Sequence, residues 1–129
     1  MKIRVIAVSI VVLLLVSSCQ TAPVVFTANY VYELGLGYGF LGKQVQVSVD
    51  GVPVLFLVGN EEMETFAQLQ GTKMLYKGST NREEITISVS VDGGFPVDKI
   101  IDLGKGRYIH IYQDPEGLWI YNTSELVFE

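Results

Sequence analysis

From Asn29 onward the apolar positions recur every second residue, a period that belongs to strands and not to helices. "QVQVSVDGVPV" alternates at Val45, Val47 and Val49, turns at Asp50-Gly51, and resumes at Val52 and Val54. "EITISVSVDGG" repeats the pattern with Ile85, Ile87, Val89 and Val91 ahead of Asp92-Gly93. "RYIHIYQDPEGLWIY" alternates around Ile109 and Ile111 and turns at Asp114-Pro115-Glu116-Gly117. β-Branched residues alternating with polar ones and closed by Asp-Gly describe half-buried antiparallel strands joined by tight turns. In the Asp-Pro-Glu-Gly turn, Asp bonds back to the backbone, Pro presets the second position and Gly accepts a positive φ. Val47, Val49, Ile87, Val89, Ile109 and Ile111 are the expected heart of the core.

Thr72 to Lys77, Lys99 to Leu103 and Leu126 to Phe128 read as further strands. "NEEMETFAQLQG" (60–71) supports two readings. Asn60 would cap a helix, Glu61 and Glu62 suit its positive end, and Gly71 would stop it. Met63, Thr65, Ala67 and Leu69 also alternate with polar neighbours, and strands on either side favour a strand here. The run "LGLGYGFLG" (34–42) lacks the following helix that a phosphate-binding loop requires. It reads as a mobile loop or twisted edge whose Tyr38 and Phe40 pack on the domain or face a partner. Seven to nine short strands over about 100 residues give an all-β fold, an antiparallel β-sandwich of immunoglobulin-like type, with a small β-barrel as the alternative. "VSVDGVPV" (47–54) is echoed by "VSVDGGFPV" (89–97), and "LGK" occurs at 41–43 and 103–105. We read the echo as convergence on one turn chemistry, a duplicated hairpin being the alternative.

The amino-terminal stretch has a different pattern. Lys2 and Arg4 precede an apolar run from Val5 to Val16 broken only by Ser9, and Ser17-Ser18 lead into Cys19, the only cysteine. A basic start, a dozen apolar residues and a small-residue site form a secretory signal, and the run is shorter than the roughly 20 residues of a membrane span. Val16-Ser17-Ser18-Cys19 resembles the lipobox of bacterial lipoproteins. That resemblance covers about the first 20 residues. It implies cleavage before Cys19, a diacylglycerol thioether on its sulfur, and fatty acyl chains such as palmitate holding the protein to a membrane. Gln20 stands where an Asp would signal inner-membrane retention, which points to the outer membrane in a two-membrane cell and to the outer face of the plasma membrane otherwise. The expected organisation is a signal peptide (1–18), a lipidated tether (19–25) and a single β domain (26–129).

Composition adds constraints. The whole chain carries a net charge of −5, and losing Lys2 and Arg4 with the signal makes the remainder more acidic. Such a surface argues against nucleic acid and against electrostatic docking on anionic lipid. With Cys19 acylated, no disulfide supports the fold, so the core must hold it alone. "QTAPVV" (20–25) spans at most about 20 Å extended, which keeps the domain near the bilayer.

Candidate chemistry is sparse. His110 is the only histidine, and if Ile109 and Ile111 face the core, it faces solvent with Tyr108 and Tyr112. No nucleophile elbow accompanies it, and one histidine without a free cysteine is a poor zinc site. Asp50, Asp92 and Asp114 are explained by their turns without calcium-loop spacing. Asn122-Thr123-Ser124 matches a glycosylation sequon that has little meaning in a bacterial lipoprotein. No catalytic residue, metal or cofactor is expected. The aromatics are the suggestive feature: Tyr108, His110, Tyr112, Trp119, Tyr121 and Tyr38 are the candidate ligand or partner surface. A two-residue turn at Pro115-Glu116 pairs Tyr112 with Trp119 and gathers the aromatics on one face. A bulge at Gly117 sends Trp119 and Tyr121 to the core side instead. Trp119 is expected to be at least partly buried, as a core anchor. The functional expectation is a non-enzymatic, lipid-anchored envelope module binding a partner protein or polysaccharide. A structural accessory subunit of an envelope complex is the alternative, and a hydrolase a more distant one.

Overall fold

The computed structural model describes residues 29–126. The signal, Cys19 and the tether lie outside the described residues, as does most of the final strand expected at Leu126 to Phe128. The elements are β1 (Tyr30–Leu36), β2 (Gln44–Val49), β3 (Val52–Val58), α1 (Glu61–Gln70), β4 (Lys73–Thr80), β5 (Glu84–Val91), β6 (Val97–Asp102), β7 (Tyr108–Asp114) and β8 (Gly117–Thr123). They form two four-stranded sheets, in the orders β4-β1-β7-β8 and β3-β2-β5-β6. The layering is that of the expected sandwich, and the sheets are not closed into a barrel. Every strand pair is antiparallel except β1 with β7, which is parallel.

Alternation builds the core directly. Val45, Val47 and Val49 of β2 and Ile85, Ile87 and Val89 of β5 are all buried, with Val47 opposite Val89 and Val49 opposite Ile87. Leu34, Leu36, Ile109, Ile111 and Ile120 of the other sheet join them in one cluster. Each such side chain contributes about 1.5–3 kcal/mol on burial. All six residues expected at the heart of the core are there.

The two Asp-Gly turns have positive φ at both residues: 49° and 84° at Asp50-Gly51, 52° and 71° at Asp92-Gly93. Their sequence echo has a spatial counterpart. The Asp50 carboxylate accepts the Thr86 amide at 2.8 Å, and the Asp92 carboxylate accepts the Gln44 amide at 2.8 Å. Asp50 and Asp92 amides donate back to the Thr86 and Gln44 carbonyls. The hairpins β2–β3 and β5–β6 are thus related by a local twofold between Val47 and Val89. The turn aspartates serve the neighbouring strand, which accounts for their recurrence.

Two expectations need correction. Residues 61–70 form a helix, not a strand. The Asn60 side chain accepts from the Met63 amide at 2.8 Å, Glu61, Glu62 and Glu64 occupy the first turn, and the Gly71 amide closes on the Ala67 carbonyl. Capping at both ends outweighs the alternation, and the spacing that is buried or half-buried is Met63, Phe66, Ala67, while Leu69 is left exposed. The glycine-rich run is not a loose edge either. Leu34 and Leu36 belong to the interior strand β1, and Phe40 is fully buried. Gly35 is required there because any side chain would collide with the Lys73 carbonyl, at the bulge where β1 and β4 change register.

Candidate functional site

The site begins with the turn between β7 and β8. The Asp114 carboxylate accepts the Glu116 and Gly117 amides at 2.9 and 3.0 Å. Pro115 and Glu116 are therefore the only unpaired residues, and Asp114 faces Gly117. This register sets Tyr112 opposite Trp119 and His110 opposite Tyr121, while Ile111 faces Ile120 in the core. Burial of Leu118 and Ile120 selects the tight turn over the bulge. Trp119 is consequently not a core anchor. It lies on the outer face of the sheet, 43 % exposed, with its indole N–H the main influence holding the Asp114 carboxyl below its ordinary value.

On that face the rings form one assembly. Tyr112 and Trp119 stack with centroids 6.4 Å apart, and His110 stacks on Tyr121 at 4.8 Å. Tyr112 meets Tyr121 edge-on at 5.9 Å and Tyr38 at 5.1 Å. Such contacts contribute about 0.5–1.5 kcal/mol each beyond area burial. Gly37 leaves room for this packing, since a side chain there would sit 3.3 Å from the Tyr112 Cβ. Gly39 holds Tyr38 in place: its φ is 102°, a side chain would strike the Gln113 carbonyl, and its amide donates to the Glu64 carboxylate at 3.0 Å.

His110 does not reach solvent as expected; it is only 7 % exposed. It points away from the inter-sheet core, yet Tyr121 covers one ring face and two threonines close its edges. Nδ1 lies 2.7 Å from the Thr72 hydroxyl and Nε2 2.7 Å from the Thr123 hydroxyl. Thr123 donates its own proton to the Glu125 carbonyl at 2.8 Å, so it accepts from Nε2–H. Nδ1 is then the unprotonated nitrogen and accepts from Thr72. Burial pushes the His110 pKa down, consistent with a neutral ring that serves as a hydrogen-bonded support.

A cleft of about 580 Å³ opens between the carboxyl-terminal half of α1 and the outer face of β7 and β8. Ala67, Gln68, Gly71 and Thr72 line it from the helix side, His110, Tyr121 and Thr123 from the strands, Glu125 from the segment after β8, and Tyr38 from the loop after β1. A smaller recess beside it adds Gly37 and Tyr112. Burial, with lesser contributions from neighbouring groups, raises the Tyr112 and Tyr121 phenols, which keeps both as neutral donors. Among the described residues the cleft therefore offers aromatic surface, hydroxyls and one amide, with Glu125 as its only formal charge.

Of the six residues singled out from the sequence, Tyr38, His110 and Tyr121 line the cleft, Tyr112 lines the recess, and Trp119 lines neither but stacks on Tyr112. Tyr108 stands apart, bonded at 2.6 Å to the Arg107 guanidinium, which also lies over its ring. Thr72 and Gln68 carried no sequence signal of their own, and Thr123 only that of the Asn122-Thr123-Ser124 sequon; recognising α1 as a helix would have drawn attention to Ala67 and Gln68. Among the described residues no three His, Cys, Asp or Glu side chains converge as a metal site requires, and no helix is long and apolar enough to cross a membrane. No known family, curated protein or solved structure matches the chain.

Because His110 folds into a site that disfavours its cation, the unfolded chain binds the proton more readily. Stability is full above the unfolded histidine value of about 6.5 and falls as pH drops through the folded value. Denaturant midpoints measured across this range should show the decline, and His110→Gln should flatten it.

Proposed function

We propose that this protein is a lipid-anchored, non-catalytic binding module of the cell envelope, whose aromatic cleft receives a sugar ring of an envelope polysaccharide. The observation that carries this reading is the cleft itself: Tyr38 and Tyr121 flank a concavity with Trp119 and Tyr112 stacked alongside. Its size falls within the roughly 300–1,000 Å³ of small-molecule sites. Sugars present apolar C–H faces and dense hydroxyls, so they match aromatic rings interleaved with Thr72, Thr123 and Gln68 better than a charged ligand does. His110, with both ring nitrogens engaged by threonines, has no free edge for acid–base work, which favours binding over hydrolysis. The resemblance of Val16-Ser17-Ser18-Cys19 to a lipobox supports attachment to a membrane through Cys19, and Gln20 favours the outer membrane of a two-membrane cell. Nucleic acid does not suit the acidic chain.

The alternative reading, an accessory subunit that assembles with an envelope protein, draws support from exposed apolar residues on the other sheet, Phe56 and Ile100 among them.

The test is co-sedimentation with insoluble cell-wall polysaccharide. Trp119→Ala and Tyr121→Ala should each weaken retention roughly five- to tenfold, the loss of about 1 kcal/mol of ring contact. Tyr108→Phe, away from the cleft, should bind as the parent does. Equal retention of all three variants would remove the cleft from consideration.

A further inference from the structure

We propose that the edge of β3 is a pairing surface for a second copy of this chain, joined antiparallel about a twofold axis. Among the described residues, β3 is an edge strand bonded only to β2, and the backbone hydrogen bonds made there outside helices and strand pairs include none from residues 52–58. A bare strand edge is a template for another strand, and proteins commonly blunt such edges with charge. The same sheet carries that protection at its opposite edge. β6, "VDKIID", has Asp98, Lys99 and Asp102 in six residues, whereas β3, "VPVLFLV", has no charge in seven. These strands hold equivalent places about the local twofold between Val47 and Val89, so the contrast is between two matching edges. Pro53 removes one donor at the start of β3 and leaves residues 54–58 free to pair. Phe56 and Val58 stand opposite Gln46 and Gln44 on the outer face, 65 % and 57 % exposed.

A second copy fits this edge better than an unrelated strand. Antiparallel pairing of β3 with itself is isologous, so each bare edge meets an equally bare one. It also sets the end of β3 that runs into Glu61 and Glu62 beside the end of the other copy that carries Arg82, whose exposed guanidinium reaches Asp50 at 3.4 Å. The uncharged strand keeps the chain's net −5 out of the contact. The monomer already joins two hairpins antiparallel through β2 and β5; the dimer would extend that sheet by the same device. This surface is on the sheet opposite the aromatic cleft and stands or falls separately from polysaccharide binding.

Sedimentation of the full chain in detergent should give a dimer of the protein. Phe56→Lys should weaken association about fivefold, because antiparallel pairing of residues 54–58 sets the two introduced ammonium groups opposite each other on the outer face. Ile100→Lys, on the protected β6 edge, should leave the dimer intact. Amide exchange at residues 54–58 of the parent should slow as concentration rises, a readout that does not depend on any variant folding. A monomeric parent, equal disruption by Ile100→Lys, or exchange independent of concentration would overturn the proposal. So would protection that arises only on vesicles of phosphatidylethanolamine and phosphatidylglycerol, which would assign the strand to the bilayer.

Discussion

Ile111→Ala is expected to lower the stability of the domain by about 2–5 kcal/mol, the range for removing a large aliphatic side chain from a packed core. Ile111 is completely buried, in β7, with Leu36 of β1 on one side and Ile120 of β8 on the other. Both neighbours are anchored by their own strands, so the cavity left by truncation has little scope to collapse. A typical domain has only about 5–15 kcal/mol in total, and Cys19 is the sole cysteine, so no intramolecular disulfide offsets the loss. Urea unfolding should show the midpoint fall with little change in slope. Ile100→Ala, at a side chain 65 % exposed, should stay within about 0.5 kcal/mol of the parent. A chelator should leave both midpoints unmoved, because the core cluster is built of packed apolar side chains. A drop at Ile111 no larger than at Ile100, or unfolding by the chelator, would contradict this picture of the core.

Cys19→Ser should have the largest effect on where the protein resides. In the lipoprotein reading the Cys19 thiol is the one atom that receives the diacylglycerol, and cleavage of the signal depends on that modification. Each buried methylene contributes about 0.8 kcal/mol, so one acyl chain holds weakly while two or more anchor stably. Loss of the sulfur removes the whole anchor at once. Fractionation of cells making Cys19→Ser should recover an unprocessed or mislocalised precursor. Inhibiting the lipoprotein signal peptidase should make the parent precursor accumulate in the same way. Cleaved Cys19→Ser recovered in the membrane fraction would show that Cys19 is not the anchor.

The elements most legible in the sequence were those governed by local rules. Val45–Val49, Ile85–Val89 and Ile109–Ile111 alternate cleanly because each strand has one face on the core, and Asp-Gly pairs mark turns because both residues need positive φ. α1 was harder to see, since its alternation and its caps pointed in different directions over the same ten residues. β1 was obscured for another reason. Its glycines suggested a loop, but Gly35 is there for close approach to Lys73, and its pairing with β7 is parallel and non-local. The aromatic face depended on one register choice. A shift of a single residue at Gly117 would have turned Trp119 inward, and the balance was set by Leu118 and Ile120 together. His110 was identified as facing away from the core, yet its burial was out of reach, because Thr72 comes from 38 residues away.

The central claim, that the aromatic cleft is the binding surface, is tested most directly through the emission of Trp119, the only tryptophan in the chain. Stacked on Tyr112 and 43 % exposed, the indole should emit toward the red and respond to a soluble quencher. Titration with solubilised envelope polysaccharide should shift that emission to the blue and shield it from the quencher, with saturation that Tyr121→Ala weakens. Emission unmoved by the polysaccharide, from an indole that the quencher still reaches, would contradict the assignment of this face to a glycan.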